Sequence, residues 1–471
     1  MRPAPSGRYV AKSRLLPVGD ECRWPRLVRA GGLPYIHCKR IKIRHRGHCV
    51  TGTIRIDDLG RPVLSKEQRA ALAYADSLTI DLSPASILRE AQQRTGYSDF
   101  GPEDFRGRLD LLCDEWGSDA GLTSLGRLSL RNKLLQHAQS RLLIQRRLSQ
   151  HPGIHAVAIR APLIVVGLPR SGTTHLLNLL AADCRMRALP LWEAYEPVPL
   201  PAEEHGDACP DPRWQRCEAQ WQAMQAVSPL LAAMHPMNPD HIHEELELMG
   251  PDFASYNYEW LSSSPRWRDH YYATDQTPHY EYMKTVLKLL TWQDGDRTGE
   301  RTRWVLKCPQ HLEQLPVLKA VFPDATIAVT HRDPVSVVQS AITMLAYGQR
   351  TSRQRIDLDA LLAYWTDRVA HLLDACVRDR DCFPPGQSID VPFAEFMRDD
   401  LGMVEKIHAR AGLAFTPEVR AELTAFIQAH PRGRHGQVVY NLREDFGVEP
   451  ATLRARFSNY LQRFPVAEEV I

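Results

Sequence analysis

The sequence predicts an α/β protein of three layers, with a central parallel sheet preceded by a helical N-terminal region. Three observations favour this class. From about residue 160, short apolar runs rich in β-branched residues alternate with helical segments, as in parallel sheets whose strands are joined by helices. A glycine-containing loop follows the first of these runs and precedes a helix. Further polar motifs each follow a later strand, at the sheet edge where open α/β folds bind ligands.

Helical signals dominate residues 65–150. Ser65 begins a run of strong helix formers, and Ser83 followed by Pro84 is typical of a helix N-terminus. Leucines between positions 128 and 143 recur at spacings that fit one helix face. A His-Pro-Gly sequence at 151–153 is predicted to end this segment. The predicted strands lie further along the chain, at residues 163–166, 304–306, 326–329 and 389–391.

Length and composition allow a large core and more than one domain. The chain has 471 residues, of which 44% are hydrophobic. Chains of this size hold two or three domains. We predict a basic, poorly ordered arm at residues 1–60, a helical extension at 61–155, and the α/β domain at 156–465. An insertion interrupts this domain at about residues 205–300.

The N-terminal arm differs from the rest of the chain in charge. Residues 1–50 carry 12 Lys and Arg against 2 Asp and Glu, so the other residues carry 46 against 54. A basic arm suits nucleic acid or an anionic membrane, but charged termini are more often surface arms without such a partner. We therefore predict no nucleic-acid partner and leave peripheral membrane contact open. The spacing of cysteines and histidines in the arm matches no zinc template.

Targeting signals are not visible in the sequence. The N-terminus is charged but has no apolar segment of the kind found in signal peptides. No apolar run approaches the roughly 20 residues that span a bilayer. Ten cysteines form no paired pattern, which favours a reducing, cytoplasmic location. The oligomeric state is not predicted.

The glycine-containing loop begins at Gly167 and reads Gly-Leu-Pro-Arg-Ser-Gly-Thr-Thr. Gly167 lets the chain turn sharply, and Gly172 lets the backbone approach an anion. Amide groups of residues 171–174 would face that anion from the helix N-terminus. The spacing is that of a P-loop, so we predict a fold of the P-loop type. Thr173 replaces the usual lysine and the cation of the loop is Arg170, which argues against ATP or GTP hydrolysis.

Two later strands also end in polar side chains. Lys307 and His311 follow the second predicted strand, and Arg332 follows the third. Ser340 lies one to two turns into the next helix, so it and Arg332 are expected to converge on one phosphate. Arginine supplies a forked permanent cation, and serine adds a neutral donor.

Together these motifs resemble those of the sulfotransferases that use 3′-phosphoadenosine-5′-phosphosulfate (PAPS), in particular bacterial members with a helical N-terminal extension. The resemblance covers roughly residues 75–450. It implies that Arg332 and Ser340 bind the 3′-phosphate. It also implies that the 5′-phosphosulfate binds to the glycine-containing loop, through Arg170, Ser171, Gly172, Thr173 and Thr174.

Two further features belong to this resemblance. Arg432, Gly433 and Arg434 resemble the loop that closes over the 3′-phosphate end of the nucleotide. The chain departs from the eukaryotic cytosolic enzymes at Arg170, where they have lysine, and at His175, where they have tryptophan. Arginine supplies the same charge, and His175 becomes the candidate for stacking on the adenine.

The resemblance implies transfer of a sulfuryl group from PAPS to an acceptor hydroxyl, which gives a sulfate ester and adenosine 3′,5′-bisphosphate. Arg170, Lys307 and the loop amides are predicted to stabilise the charge that grows on the leaving phosphate. His311 is the predicted general base, because the ordinary pKa of histidine lies near neutrality. Glu245 or Glu244 is the alternative, since some members of the family use a glutamate base. No metal site is predicted, and the reaction requires none.

The acceptor is predicted to be a small molecule or a lipid, on the evidence of aromatic residues in the insertion. Aromatic side chains can wall a pocket for an apolar molecule. The residues concerned are Tyr256, Tyr258, Trp260, Trp267, Tyr271, Tyr272, Tyr280 and Tyr282.

Two other functions stay open at this point. A P-loop kinase or NTPase needs a Walker lysine and a metal-binding aspartate, and neither is visible in the motifs. A non-catalytic nucleotide-binding or nucleic-acid-associated protein is favoured by the basic arm alone.

Overall fold

The centre of the structure is a five-stranded sheet in which all neighbouring strands run parallel. The computed structural model describes residues 52–203, 210–295, 303–433 and 436–471. Its strands in chain order are β1 (Thr53–Ile54), β2 (Leu163–Val166), β3 (Met186–Arg187), β4 (Arg303–Lys307), β5 (Thr326–His331), β6 (Ser388–Pro392) and β7 (Gln437–Val438). The strand order across the central sheet is β3-β4-β2-β5-β6.

The four predicted strands coincide with β2, β4, β5 and β6. Every residue of β2 and β5 is buried. Ile164 and Val166 pack in one hydrophobic cluster, whereas Leu163 and Val165 pack in another. Both faces of the sheet are therefore covered, which explains why these strands read as continuous apolar runs. The predicted fold class is confirmed.

Helices form the two outer layers and the N-terminal region. In chain order they are α1 (Lys66–Asp76), α2 (Pro84–Thr95), α3 (Phe105–Ser118), α4 (Ser124–Gln150), α5 (Thr173–Ala181), α6 (Leu191–Tyr195), α7 (Pro212–Val227), α8 (Leu231–Met234), α9 (Leu246–Met249), α10 (Asn257–Leu261), α11 (Pro265–Ala273), α12 (Thr277–Asp294), α13 (Leu315–Val321), α14 (Pro334–Ser352), α15 (Leu358–Asp379), α16 (Phe393–Arg398), α17 (Asp400–Arg410), α18 (Pro417–Ala429), α19 (Leu442–Phe446), α20 (Pro450–Ala455) and α21 (Ser458–Arg463). No helix in the described part of the chain has both the length and the apolar character needed to cross a bilayer.

The N-terminal helices begin where the sequence predicts. The Ser65 hydroxyl accepts from the amide of Gln68 at 3.2 Å, and the Gln68 side chain accepts from the amide of Ser65 at 2.9 Å. This reciprocal capping box starts α1. The Ser83 hydroxyl caps α2 in the same way, with Pro84 as its first residue. Helix α4 runs to Gln150, directly before the predicted stop.

A second sheet joins β1 to β7 in parallel. This finding corrects the predicted N-terminal arm, which was expected to extend to residue 60. Ile54 and Ile56 are buried in the main hydrophobic cluster, so this part of the chain packs on the α/β domain. The rest of the arm, residues 1–51, lies outside the described residues, and the predictions made for it stay predictions.

A buried ion cluster ties α15 to the short 3-10 helix Pro309–Glu313. Arg368 of α15 is fully buried and donates to Glu259 at 2.9 Å. It also donates to both carboxylate oxygens of Glu313, at 2.7 and 2.5 Å. Burial raises the pKa of Glu259, and the charge of Arg368 opposes this shift. The single positive charge of Arg368 therefore offsets part of the cost of burying two carboxylates.

Replacing Arg368 with alanine is expected to lower the free energy of unfolding by about 3–5 kcal/mol, because it leaves two buried carboxylates without their cation. Urea denaturation measures this change. Arg456→Ala is the matched control: Arg456 forms an exposed pair with Asp367, and its loss should change the stability by about 1 kcal/mol or less. Equal stability of the two variants would contradict the expectation.

Candidate active site

The glycine-containing loop connects β2 to α5 and packs against β5. A Cβ atom at Gly167 would collide with the Oγ1 atom of Thr330, so a side chain does not fit there without displacing β5. The Ser171 hydroxyl lies 2.8 Å from the same Oγ1 atom. Gly172 has a φ of +83°, and Arg170 has a φ of +66°. This left-handed conformation costs a non-glycine residue about 1–3 kcal/mol, so the loop is held in a strained form of the kind found at binding sites.

The N-terminus of α5 presents backbone amides that no side chain caps. Gly172 is the N-cap residue, and no capping hydrogen bond from a side chain is found there among the described residues. Thr173 and Thr174 form the first turn and line a cavity. Unpaired amides and the helix dipole together favour an anion at this position.

Arg170 and Arg332 lie side by side and line the same cavity. The Nη1 atom of Arg332 donates to the backbone oxygen of Arg170 at 2.5 Å. The Nε atom of Arg170 donates to the hydroxyl of Ser340 at 2.9 Å, and its Nη2 atom donates to the hydroxyl of Tyr440 at 3.3 Å. Arg170, Arg332 and Ser340 thus lie together, although the sequence assigned Arg170 to one end of the ligand and the other two residues to its opposite end.

A carboxylate from the C-terminal tail occupies the fork of Arg332. Glu469 accepts from the Nε atom of Arg332 at 2.8 Å and from its Nη2 atom at 2.6 Å. The hydroxyl of Ser336 donates to the same carboxylate at 3.4 Å, and the backbone amide of Glu469 donates to Asp333 at 2.9 Å. Arginine binds phosphate through the same bidentate geometry. The domain predicted from the sequence ends at residue 465, so no role was predicted for Glu469.

Lys307 stands at the end of β4 between two carboxylates. Its Nζ atom donates to Glu244 and lies 3.5 Å from the hydroxyl of Thr174, in the first turn of α5. Its backbone amide donates to Glu245 at 2.8 Å. Lys307 and Glu244 line the cavity, whereas Glu245 has no exposed surface. Burial raises the pKa of Glu244, and the charge of Lys307 opposes this shift.

His311, the predicted general base, is not among the residues that line the cavity. Its Nε2 atom lies 2.6 Å from the carboxylate of Glu245, its Nδ1 atom lies 2.8 Å from the hydroxyl of Tyr280, and its ring has no exposed surface. With both nitrogens occupied and the ring enclosed, His311 has no position from which to contact an acceptor. The same burial applies to Glu245. Of the three side chains named as base candidates, Glu244 is the one that faces the cavity.

His175, Arg432 and Gly433 line the same cavity. The Nε2 atom of His175 lies 3.3 Å from Asp400 and 3.4 Å from the Nη2 atom of Arg432, which itself donates to Asp400 at 3.0 Å. Burial lowers the pKa of His175, so its ring is held neutral. Arg434, the third residue named for this loop, lies outside the described residues.

The cavity has a volume of about 1600 Å³. Sites for one small molecule usually measure about 300–1,000 Å³, so there is room for two ligands. Charged and polar residues line it at the strand ends described above. Apolar side chains from the surrounding helices and loops line the rest, among them Leu130, Leu135, Leu143, Leu200, Leu231, Met344, Leu345 and Trp365.

The source of the apolar wall differs from the prediction. Among the eight aromatic residues named from the insertion, all of them described, only Trp260 lines the cavity. Tyr258, Trp267 and Tyr271 pack instead into the core of the N-terminal helices. Helix α4, to which the sequence analysis assigned no chemistry, contributes much of the wall through one of its faces. Of the α4 residues that line the cavity, Leu130, Leu135 and Leu143 are apolar and most of the others are polar.

Comparison with known proteins agrees with this site. Residues 162–417 match the sulfotransferase family. Sulfotransferase STF1 from Mycobacterium tuberculosis H37Rv is 28% identical, with a TM-score of 0.69 over 81% of this chain and 100% of that one. Sulfotransferase STF9 from Mycobacterium avium is 24% identical, with a TM-score of 0.72 over 84% of this chain and 99% of that one. A comparison with curated proteins finds no match.

The structure combines a parallel α/β fold with a P-loop-like loop, two adjacent arginines and a large cavity. Together with the family match, these features define a transferase that binds anionic groups. The family match spans more than half of the chain and includes the loop, Lys307 and Arg332. The chain belongs to the sulfotransferase family, and its general reaction is therefore sulfuryl transfer.

Proposed function

We propose that this protein transfers the sulfuryl group of PAPS to a hydroxyl group on an acceptor with an apolar body. The proposal depends chiefly on one observation: the fork of Arg332, which lines the same cavity as the uncapped N-terminus of α5, holds the carboxylate of Glu469. PAPS carries one phosphate at its 3′ position and a phosphosulfate at its 5′ position. Two anion sites in one cavity suit such a ligand.

Each end of the donor has its own set of residues in this proposal. Arg332 and Ser336 hold the 3′-phosphate in place of the Glu469 carboxylate, and Ser340 supports them through Arg170. The amides at Thr173 and Thr174 hold the 5′-phosphosulfate. His175, which is neutral and lines the cavity beside Arg432, supplies a flat ring for the adenine.

The transfer step forms a bond between the acceptor oxygen and sulfur and breaks the bond between sulfur and the 5′-phosphate oxygen. The acceptor proton passes to Glu244, whose carboxylate faces the cavity beside Lys307. Charge that develops on the leaving phosphate oxygen is stabilised by Lys307, Arg170 and the loop amides, which are already aimed at that position. His311 and Glu245 are positioning residues, because Glu245 holds the backbone amide of Lys307.

The acceptor class follows from the wall of the cavity. Leucines of α4 and the side chains of Met344 and Leu345 on α14 suit an apolar body, such as a lipid, that carries one exposed hydroxyl. The volume exceeds what the donor alone would need, so donor and acceptor can occupy the cavity together.

Thermal unfolding with three nucleotides tests the donor assignment. A ligand that binds the folded state alone stabilises it by about 2.7 kcal/mol at 100 times its Kd. Adenosine 3′,5′-bisphosphate should raise Tm more than AMP, which lacks the 3′-phosphate that Arg332 would hold. A larger effect of ATP with magnesium would instead favour a kinase or NTPase. Transfer of labelled sulfate from PAPS to a lipid extract then tests the acceptor class.

Removing the carboxylate of the tail is expected to strengthen nucleotide binding. Glu469→Ala abolishes a pair that competes with the 3′-phosphate, and a partly exposed pair is worth about 1 kcal/mol at most, or about fivefold in Kd. Calorimetric titration with adenosine 3′,5′-bisphosphate measures the gain. Glu468→Ala is the matched control, since this neighbour contacts Arg454 instead. Equal affinities of the two variants would remove the tail from the phosphate site.

A further inference from the structure

Three histidines meet beside the cavity, in an arrangement that the proposed reaction does not use. The candidate ligand nitrogens of His235, His241 and His243 all lie within 4.8 Å of one another. His235 and His243 line the cavity, and His241 and His243 are buried. The reaction proposed above assigns no task to any of these rings.

The backbone builds this cluster. Residues 241–243 are extended and bridge antiparallel to Pro190: the amide of His243 donates to Leu189 at 2.8 Å, and the oxygen of His241 accepts from Leu191 at 2.9 Å. Side chains two positions apart in an extended segment point to the same side, so both rings face one way while Ile242 packs in the core. His235, directly after α8, supplies the third ring.

The ring spacing fits a metal ion. Zinc binds imidazole nitrogen at about 2.0–2.1 Å, and a tetrahedral site then separates the ring centres by about 5.2 Å. The observed separations of the ring centres are 5.5, 6.1 and 5.9 Å. Side-chain movements of less than about 1 Å would close the site around zinc.

The surroundings of the cluster contain features that favour a bound cation and one that opposes it. The Nδ1 atom of His243 is buried and has no hydrogen-bond partner. Its Nε2 atom lies 3.9 Å from the carboxylate of Glu247, so a negative charge stands near the ring without a hydrogen bond to it. The positive charge of Lys307 lies nearby and opposes a bound cation, but Lys307 is paired directly with Glu244.

We propose that His235, His241 and His243 bind a divalent transition metal, zinc by its ligand preference, with the fourth coordination position open to the cavity. Three protein ligands with one open position are typical of zinc sites that bind an exchangeable oxygen ligand. An acceptor hydroxyl or a water molecule in the cavity is the chemical class of ligand that would complete the site. This inference differs from the expectation from the sequence that the protein has no metal site.

Cobalt titration of the full chain tests the proposal, with no donor or acceptor present, so that the result does not depend on the transfer reaction. The protein is treated with a chelator, desalted and titrated with Co²⁺, and the visible spectrum is recorded. We expect one equivalent to bind with the spectrum of tetrahedral nitrogen and oxygen ligation, and zinc to displace it. Thiolate charge-transfer bands would place the metal at a cysteine-containing site, of which Asp183, Cys184 and Glu422 form one among the described residues, and would overturn the proposal.

Variants separate binding at the cluster from binding elsewhere. His235→Ala and His243→Ala should each weaken cobalt binding by at least about 100-fold, since second-shell changes alone cost 10–100-fold. His270→Ala, at an exposed position, is the matched control and should bind like the wild type. Thermal unfolding without metal identifies any variant that fails to fold, and His235, which is partly exposed, is the safer of the two substitutions. Unchanged binding in a folded His235→Ala protein would overturn the proposal.

Discussion

Replacing Glu244 with glutamine is expected to slow sulfuryl transfer about 10²–10⁴-fold while leaving nucleotide binding intact. Glutamine keeps the shape of the side chain, and its amide oxygen can still accept from the Nζ atom of Lys307, so the donor site keeps its geometry. It cannot take the proton of the acceptor hydroxyl, because an amide is not a base at neutral pH. Single-turnover transfer rates and calorimetric titration with adenosine 3′,5′-bisphosphate measure the two properties separately.

Glu196→Gln is the matched control for this change. Glu196 also lines the cavity and is also paired with a cation, Arg216, at 2.6 Å. Its substitution removes the same charge from the same cavity and should leave the rate of transfer close to that of the wild type. Full activity of Glu244→Gln would show that another group takes the proton, and equal losses in both variants would indicate a general effect of charge.

Replacing Arg332 with alanine is expected to weaken the binding of adenosine 3′,5′-bisphosphate by about 2–5 kcal/mol, which is the usual cost of removing one partner of a buried charge pair. The side chain also stacks on Phe393 and holds the backbone of Arg170, so its loss disturbs both arginines of the site. Arg332→Lys keeps the charge but loses the fork, and its affinity should fall between those of the wild type and Arg332→Ala.

Two further measurements make this result specific to the 3′-phosphate. Arg332→Ala should lose much less affinity for AMP than for the bisphosphate, because AMP has no 3′-phosphate and only the indirect effect through Arg170 remains. When Arg332→Ala is introduced into Glu469→Ala, the loss of affinity for the bisphosphate should be larger than in the wild type. The Glu469→Ala protein binds the bisphosphate more tightly to begin with, because its tail no longer competes for Arg332. Arg456→Ala, which removes an exposed arginine that does not line the cavity, is the control. An affinity unaffected by Arg332→Ala would place the 3′-phosphate elsewhere.

The strands and the loop could be predicted because their signals are local. A run such as Leu163–Val166 is apolar at every position because both of its faces are covered, and Gly172 is glycine because of its positive φ. The contact that excludes a side chain at Gly167 comes from Thr330 of β5, but the glycine itself is part of a recognisable local motif. The family resemblance depended on the same short segments. Strand β3 has two residues, too few for any periodicity, and the prediction missed it.

The choice between Glu244, Glu245 and His311 could not be made from the chain alone. Two adjacent glutamates cannot be distinguished by their sequence, although Glu244 lines the cavity and Glu245 is fully buried. His311 has a suitable ordinary pKa, but Tyr280 and Glu245 occupy both of its nitrogens. Exposure and hydrogen bonding decide which group can meet a substrate, and both depend on residues distant in the chain.

The local amino-acid sequence therefore determined the fold class, the anion-binding loop and the helix starts at Ser65 and Ser83, because each depends mainly on residues that are neighbours in the chain. Long-range packing alone decided that α4 walls the cavity, that Glu469 lies on Arg332, and that His235 joins the two histidines of the extended segment. The physical reason is the same in each case. Each contact forms only when the chain folds, whether the residues are distant, as Arg332 and Glu469 are, or nearer, as His235 and His241 are, so it leaves no pattern in the neighbouring residues.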